Sequence, residues 1–144
     1  MELRIASQEQ FSAIAEAERS AFAQPLTEKD LQDLSQNELF RILIWCADGE
    51  VCGHCVLYRV LDEAEITSFV IRHDLRGKGC GTAFLQALFP YLRNDGAKIA
   101  YLEVRQSNVA AQRLYKKCGF TPIGVRKRFY ERPVEDAVAM GIEL

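Results

Sequence analysis

No stretch of this sequence approaches the ~18–20 consecutive apolar residues that a membrane-spanning helix needs. Its opening, MELRIASQEQ, lacks the apolar core of a secretory leader. Charge of one sign is also missing. The formal net charge is −2, which leaves no broad basic field for nucleic acid, so neither a nucleic acid nor a membrane is expected as a partner. There is no internal repeat, low-complexity tract or linker-like segment. The five cysteines are an odd number with no leader ahead of them, which points to a reducing cytoplasm where thiols stay free. What remains is 144 residues, 49% apolar and 26% charged. That is an ordinary soluble mixture, long enough for one domain, residues 1–144, with its own core.

The hydrophobic period changes along the chain. Leu3 to Ala6 reads as a short strand. Ser7 and Gln10 have capping-box spacing, and Phe11, Ile14, Ala15, Glu18 and Phe22 recur at helical intervals, so a helix is predicted from Gln8 to Phe22, broken by Pro25. Thr27 caps a second helix over 28–34. Three β-rich stretches follow, 39–47, 51–60 and 64–71, separated by Asp48-Gly49 and by Leu61-Asp62-Glu63, the pattern of an antiparallel meander. The second half alternates: a helix from Gly79 to Leu92, a strand 99–104, a helix 108–118 closed by Gly119, and strands 120–129 and 136–143. The expected class is α/β, a single mixed sheet of about seven strands with flanking helices.

Cys52-Gly53-His54-Cys55 has the spacing of a thiol–disulfide site or half a zinc site. The redox motif works with its first cysteine at a helix N-terminus. Here the four residues fall inside a strand, where positions three apart point to opposite faces and lie ~10 Å apart. A disulfide needs Cα atoms within ~7 Å. No second Cys-x-x-Cys and no spaced histidine pair completes a zinc set, so no metal is expected. The cysteines are read as small apolar fillers, and His54 as an ordinary strand residue.

The glycines of Arg76-Gly77-Lys78-Gly79-Cys80-Gly81-Thr82 stand between an apolar strand and a helix. Glycine lets the backbone adopt positive φ and approach a ligand closely, and free N–H groups at a helix N-terminus cradle phosphate. Arg76 and Lys78 add positive charge at the rim, and Cys80 is expected to turn its backbone, not its thiol, to the phosphate. Neither the Gly-x-x-x-x-Gly-Lys-Ser/Thr loop nor the dinucleotide fingerprint fits, since Thr82 stands where the latter needs glycine. Further on, Glu103 interrupts an apolar strand; a carboxylate there is costly unless paired with an arginine or used chemically. Asn108 reads as a helix N-cap. Tyr115 follows seven residues later on the same helical face, either as a core aromatic or with its hydroxyl put to use. His73 is expected to face solvent and Trp45 to lie in the core.

Taken together, these motifs resemble the GCN5-related N-acetyltransferase superfamily and, within it, the RimI-type enzymes that acetylate protein N-termini. The resemblance covers nearly the whole chain. It rests on the Leu61-Asp62-Glu63-Ala64 turn, the Arg-x-x-Gly-x-Gly loop, Leu102-Glu103-Val104-Arg105-x-Ser107-Asn108, Leu114-Tyr115-x-x-x-Gly119-Phe120, and Glu135-Asp136-Ala137-x-x-Met140. It implies the fold of that superfamily, with acetyl-CoA as co-substrate and the eighteenth small-subunit ribosomal protein, at its N-terminal alanine, as acceptor. It implies Glu103 as general base and Tyr115 as general acid. Phe69, Val70 and Ile71 would line the acetyl and pantetheine arm. Arg76, Gly77, Lys78, Gly79, Cys80, Gly81 and Thr82 would hold the pyrophosphate, and Asn108 would contact coenzyme A. Where the family often has Pro-Trp-Ser, this chain has Pro25-Leu26-Thr27, which puts Leu26 beside the acceptor groove; Tyr130 is the aromatic candidate for positioning the peptide. The other readings are acetylation of a small amine or a lysine side chain, and a non-catalytic acetyl-CoA-binding module. The fold alone does not choose among them.

Overall fold

A computed structural model describes all residues from Met1 to Leu144. The chain runs β1 (Glu2–Ile5), α1 (Phe11–Ala21), α2 (Glu28–Ser35), β2 (Phe40–Ala47), β3 (Glu50–Val60), β4 (Glu63–Ile71), α3 (Cys80–Asn94), β5 (Ile99–Arg105), α4 (Val109–Lys117), β6 (Thr121–Tyr130) and β7 (Glu135–Glu143). This is the predicted order of elements. The first helix differs at both ends: Gln8–Gln10 is a 3₁₀ turn, and α1 stops at Ala21, well before Pro25. The caps are local and work as their spacing predicts. Gln10 Oε1 accepts from the Ser7 N–H at 2.7 Å. Thr27 and Asp30 bond reciprocally at 3.1 and 2.9 Å, so each satisfies an N–H group at the start of α2. No helix is long and apolar enough to cross a membrane.

The seven strands form one sheet in the order β1-β2-β3-β4-β5-β7-β6. The first four pair antiparallel as a meander, β5 joins β4 in parallel, and the β6–β7 hairpin places β7 against β5. The larger core fills the space between the sheet and α3 and α4, around Phe84, Leu85, Leu88, Leu102 and Phe120. A smaller core lies under α1 and α2, around Ile14, Leu31, Ile44 and Val56.

Two details correct the reading of Cys52 to Cys55. Cys46 pairs with Val51 and Trp45 with Gly53, so Cys52 is an extra residue bulged out of the ladder. A bulge resets the in–out alternation. Cys52 and Cys55 therefore do not face opposite sides; both join the core beneath α3. They remain free thiols, and burial pushes the Cys55 thiol well above the ordinary range. His54, in turn, is more than an ordinary strand residue. It is fully buried, with Nε2 2.7 Å from Oε2 of Glu18. No group of three or more His, Cys, Asp or Glu side chains is placed to hold a metal ion.

Candidate active site

The site begins where two strands part. β4 and β5 are in register only from Glu63–Ile99 to Ile66–Leu102. Beyond Ile66, β4 carries a bulge. Val56 pairs with Ser68 and the next ladder step joins Leu57 to Ile66, leaving Thr67 unpaired, with its hydroxyl donating to the Val56 carbonyl at 3.0 Å. The bulge bends the strand and flips its faces. Ala64 and Ile66 look toward α3, then Ser68 looks toward α1, while Phe69 and Ile71 return to the α3 side. After the split, the backbone N–H and C=O groups of β4 that point away from β3 have no strand opposite them. Such groups require a partner, so the exposed edge over Phe69–Ile71 is suited to an extended polar chain.

The glycine loop lies at the far end of that edge. Gly77 and Gly79 have φ of +74° and +82°, with Lys78 between them, and a Cβ at either glycine would meet nothing within 4 Å. Alternating left-handed residues turn successive N–H groups to one side, and α3 starts immediately after, at Cys80. The loop is therefore open in front and lined with donors, which fits a phosphate group. Gly81 has a different reason to be glycine: its Cβ would come 3.0 Å from Leu114, where α3 packs on α4. Arg76 is partly committed, since its Nε–H donates to the Ile71 carbonyl at 2.9 Å and so closes the turn. The Cys80 side chain is buried and its thiol is pushed up by burial. Arg76, Lys78 and His73 are exposed, and Trp45 is core.

The two candidate proton-handling groups stand on opposite sides of the split. Leu102 and Val104 face the α3 core, so Glu103 between them faces the other way. It is paired with Arg126, Nε to Oε1 3.2 Å; the Glu103 side chain is 14% exposed and that of Arg126 61%. The arginine partner foreseen for a strand carboxylate is thus present, but it is a solvent-exposed one that can move aside. Tyr115 lies on the α4 side, its ring edge-on to Phe69 at 6.1 Å and to Phe120 at 5.7 Å between centroids. Burial pushes its hydroxyl well above the ordinary tyrosine range, so it keeps its proton at neutral pH.

Around Glu103 the structure gathers two more groups. Tyr130 sits close enough that burial first, and then the Glu103 charge, push its hydroxyl up to about 12, and the Arg105 guanidinium lies 4.5 Å over its ring. Glu65, opposite Tyr101 in the last paired stretch of β4 and β5, stands near enough for the Glu103 carboxylate to act on it. Burial and the Glu103 carboxylate push Glu65 up to about 7. Glu65 escapes a reading of the sequence because its partner lies on a strand 38 residues further on. Only its position as a carboxylate alternating with Ala64 and Ile66 hinted that it faces away from the core.

The remaining candidates are placed separately. Asn108 caps α4, its Oδ1 accepting from the Ala111 N–H at 3.1 Å, which leaves its amide NH₂ free. Leu26 is half-buried in the loop between α1 and α2. That loop also touches the β6–β7 turn, where Gln24 donates to Glu131 at 3.2 Å. A separate cavity of about 500 Å³ between α1 and the ends of β3 and β4 includes Val70, Ile71 and Arg76, but neither Glu103 nor Tyr115.

Known proteins resemble this arrangement. The sequence model of the acetyltransferase (GNAT) family matches residues 8–120. A Bacillus subtilis relative is 34% identical over 137 residues, 94% of this chain and 91% of its own length. The [ribosomal protein bS18]-alanine N-acetyltransferase of Haemophilus influenzae is 32% identical over 137 residues, 93% of this chain and 92% of that one. Among solved structures, the ribosomal-protein-S18-alanine N-acetyltransferase of Escherichia coli superposes with a TM-score of 0.87 at 28% identity, covering 99% of this chain and 92% of that one.

Proposed function

The chain belongs to the GNAT family of acetyltransferases, and we propose that it transfers the acetyl group of acetyl-CoA to a protein N-terminal α-amino group, that of the alanine of ribosomal protein bS18. The whole chain, 1–144, acts as one catalytic domain, in the cytoplasm where ribosomal proteins are made. The observation that carries the reading is the split itself: a bulged strand edge running from a glycine cradle to a point flanked by Glu103 on one side and Tyr115 on the other. Relatives named for the bS18 N-terminal alanine support the choice of acceptor.

Acetyl-CoA supplies an activated thioester. The N–H groups from Gly77 to Thr82 hold its pyrophosphate, with Lys78 and Arg76 adding charge and the Asn108 amide reaching the same side. The open edge of Phe69, Val70 and Ile71 binds the pantetheine arm. An N–H near Val70 or Ile71 donates to the thioester oxygen as negative charge develops there, a contribution worth roughly 10²–10³ in rate for a single well-placed donor. On the other face, Leu26 and Tyr130 border the acceptor groove. Glu103 takes the amine proton, through a water molecule. An α-amino group has a pKa of ~8 against ~10.4 for lysine, so a terminal amine needs less persuasion. Beside Glu103, Glu65, pushed up to about 7 by burial and the Glu103 carboxylate, adds a second carboxyl group on the acceptor side. Tyr115, held protonated by burial, gives its proton to the departing thiolate. The base, the acid and the oxyanion donor are all protein groups, so the scheme needs no metal.

Mass spectrometry of a peptide beginning Ala-Arg, incubated with the protein and acetyl-CoA, tests this. Its controls are the same peptide with a blocked N-terminus and one with an internal lysine. Acetylation only at the free N-terminus is the expected result. Modification of the lysine, or none at all, would reject the acceptor proposed.

A further inference from the structure

One buried carboxylate has no part in that chemistry. Glu18 occupies an apolar position of α1, in series with Phe11, Ile14 and Ala15, and is 2% exposed. Its two oxygens take three donors. Oε1 accepts from the Leu26 N–H at 3.1 Å. Oε2 accepts from the Ser68 hydroxyl and lies 2.7 Å from His54 Nε2. With Nε2–H directed at the carboxylate, His54 Nδ1 is left buried with no partner. Burial alone would push the Glu18 carboxyl up, but the His54 and Ser68 hydrogen bonds, the His54 charge and the Leu26 N–H outweigh it and hold it low.

As a stability device this is poor. A buried charge with its partners generally does no better than a well-packed apolar side chain of the same size, and one ring nitrogen here stays unsatisfied. What the cluster does supply is direction, because each partner belongs to a different working part. Leu26 lies in the α1–α2 loop, which the proposed function sets beside the acceptor. Ser68 follows the bulge at Thr67 and immediately precedes Phe69–Ile71, the strand edge open beyond the split. His54, on β3, pairs with Val70 in the ladder. A single carboxylate thus ties the acceptor loop from below to the strand edge on which the acetyl group would lie. The loop's other tie, Gln24 to Glu131, is exposed and joins it to the β6–β7 turn.

We infer that Glu18 is a positioning residue for acetyl transfer, which fixes the acceptor loop at Leu26 to strand β4 at Ser68 and so sets where the acceptor amine stands relative to the thioester. This rests on the functional reading above. Glu18 touches neither substrate, and it acts on the acceptor side through the Leu26 N–H. The expected signature is a split in kinetic constants. Glu18→Ala raises KM for the Ala-Arg peptide about tenfold and leaves KM for acetyl-CoA within twofold. Glu18→Gln keeps an oxygen for the Leu26 N–H and restores the peptide KM to within about threefold of the parent.

Because Glu18→Ala opens a buried site, Ser68→Ala serves as the milder variant. It removes one of the donors that orient Oε2, and it should raise the peptide KM about threefold while speeding hydrogen exchange of the Leu26 amide, followed by NMR, relative to amides in β2. Equal changes in both KM values, or an unchanged peptide KM together with an unchanged Leu26 exchange rate, would overturn the inference. If the parent protein leaves the peptide unmodified, the functional reading fails first and takes this inference with it. If the parent acetylates the peptide and the variants show no split, only the inference fails.

Discussion

Strand β4 has two neighbours and treats them differently. Against β3 it is antiparallel and paired from Glu63 to Ile71, apart from the bulge at Thr67. Against β5 it is parallel and stays in register for four residues before the strands separate. The first seam is sealed by large side chains: Phe84 is fully buried, stacked on Trp45 at 5.5 Å and tilted against Phe69 at 4.9 Å. At Gly53 a Cβ would meet the Val70 carbonyl at 2.8 Å. The second seam gathers carboxylates, a tyrosine and unpaired backbone. The difference teaches a division of labour. Continuous pairing holds the strand still, and interrupted pairing leaves polar backbone to be satisfied by something else.

If the split carries chemistry and the closed seam carries stability, substitutions on the two sides should separate rate from melting temperature. The largest effect is expected from Glu103→Gln, which keeps size and removes the base: kcat should fall ~10²–10⁴-fold, with little change in thermal melting. A Glu103→Gln enzyme turning over at the parent rate would remove Glu103 from the mechanism. On the closed side, Phe84→Ala should cost about 3–5 kcal/mol in urea unfolding while the folded fraction keeps its kcat. A fall in kcat of the still-folded enzyme would mean that the two seams are not independent. At the cradle, Gly79→Ala forces a side chain into the left-handed region at a local cost of about 1–2 kcal/mol. It should weaken coenzyme A binding severalfold by calorimetry without changing the peptide KM.

The smallest effect concerns Glu65. The unfolded chain loses this proton near pH 4.5, whereas the folded protein holds it up to about 7. Between those values the folded state binds more protons, so this group makes stability fall as pH rises through that window, with the full penalty present above it. Glu65→Gln should therefore flatten the decline in melting temperature between pH 5 and 8. An unaltered slope would show that Glu65 does not hold its proton up to that pH in the folded protein.

Much of this site is visible in the residues themselves. Arg76 to Thr82 announces a cradle because positive φ at a helix start is a local demand that glycine answers. Glu103 is conspicuous because a carboxylate in an apolar strand needs a reason. Glu18 hides for the opposite cause: it sits at a helical position already explained by amphipathic spacing, and the donors that justify it come from β3, β4 and the α1–α2 loop. Cys52 misleads because a bulge is set by the partner strand, which a single strand's spelling does not reveal.

The sequence by itself determined the order of helices and strands, their caps and the run of glycines ahead of α3, since each depends on neighbours within a few positions, while the roles proposed for Glu103 and Tyr115 came from resemblance to a family. Only the tertiary structure decided that β7 lies between β5 and β6, that β4 and β5 part after Ile66, that Glu65 stands near Glu103, and that Glu18 joins a loop to a strand. Those features depend on which distant segments share a seam and where the bulges fall, and packing of the whole sheet sets both.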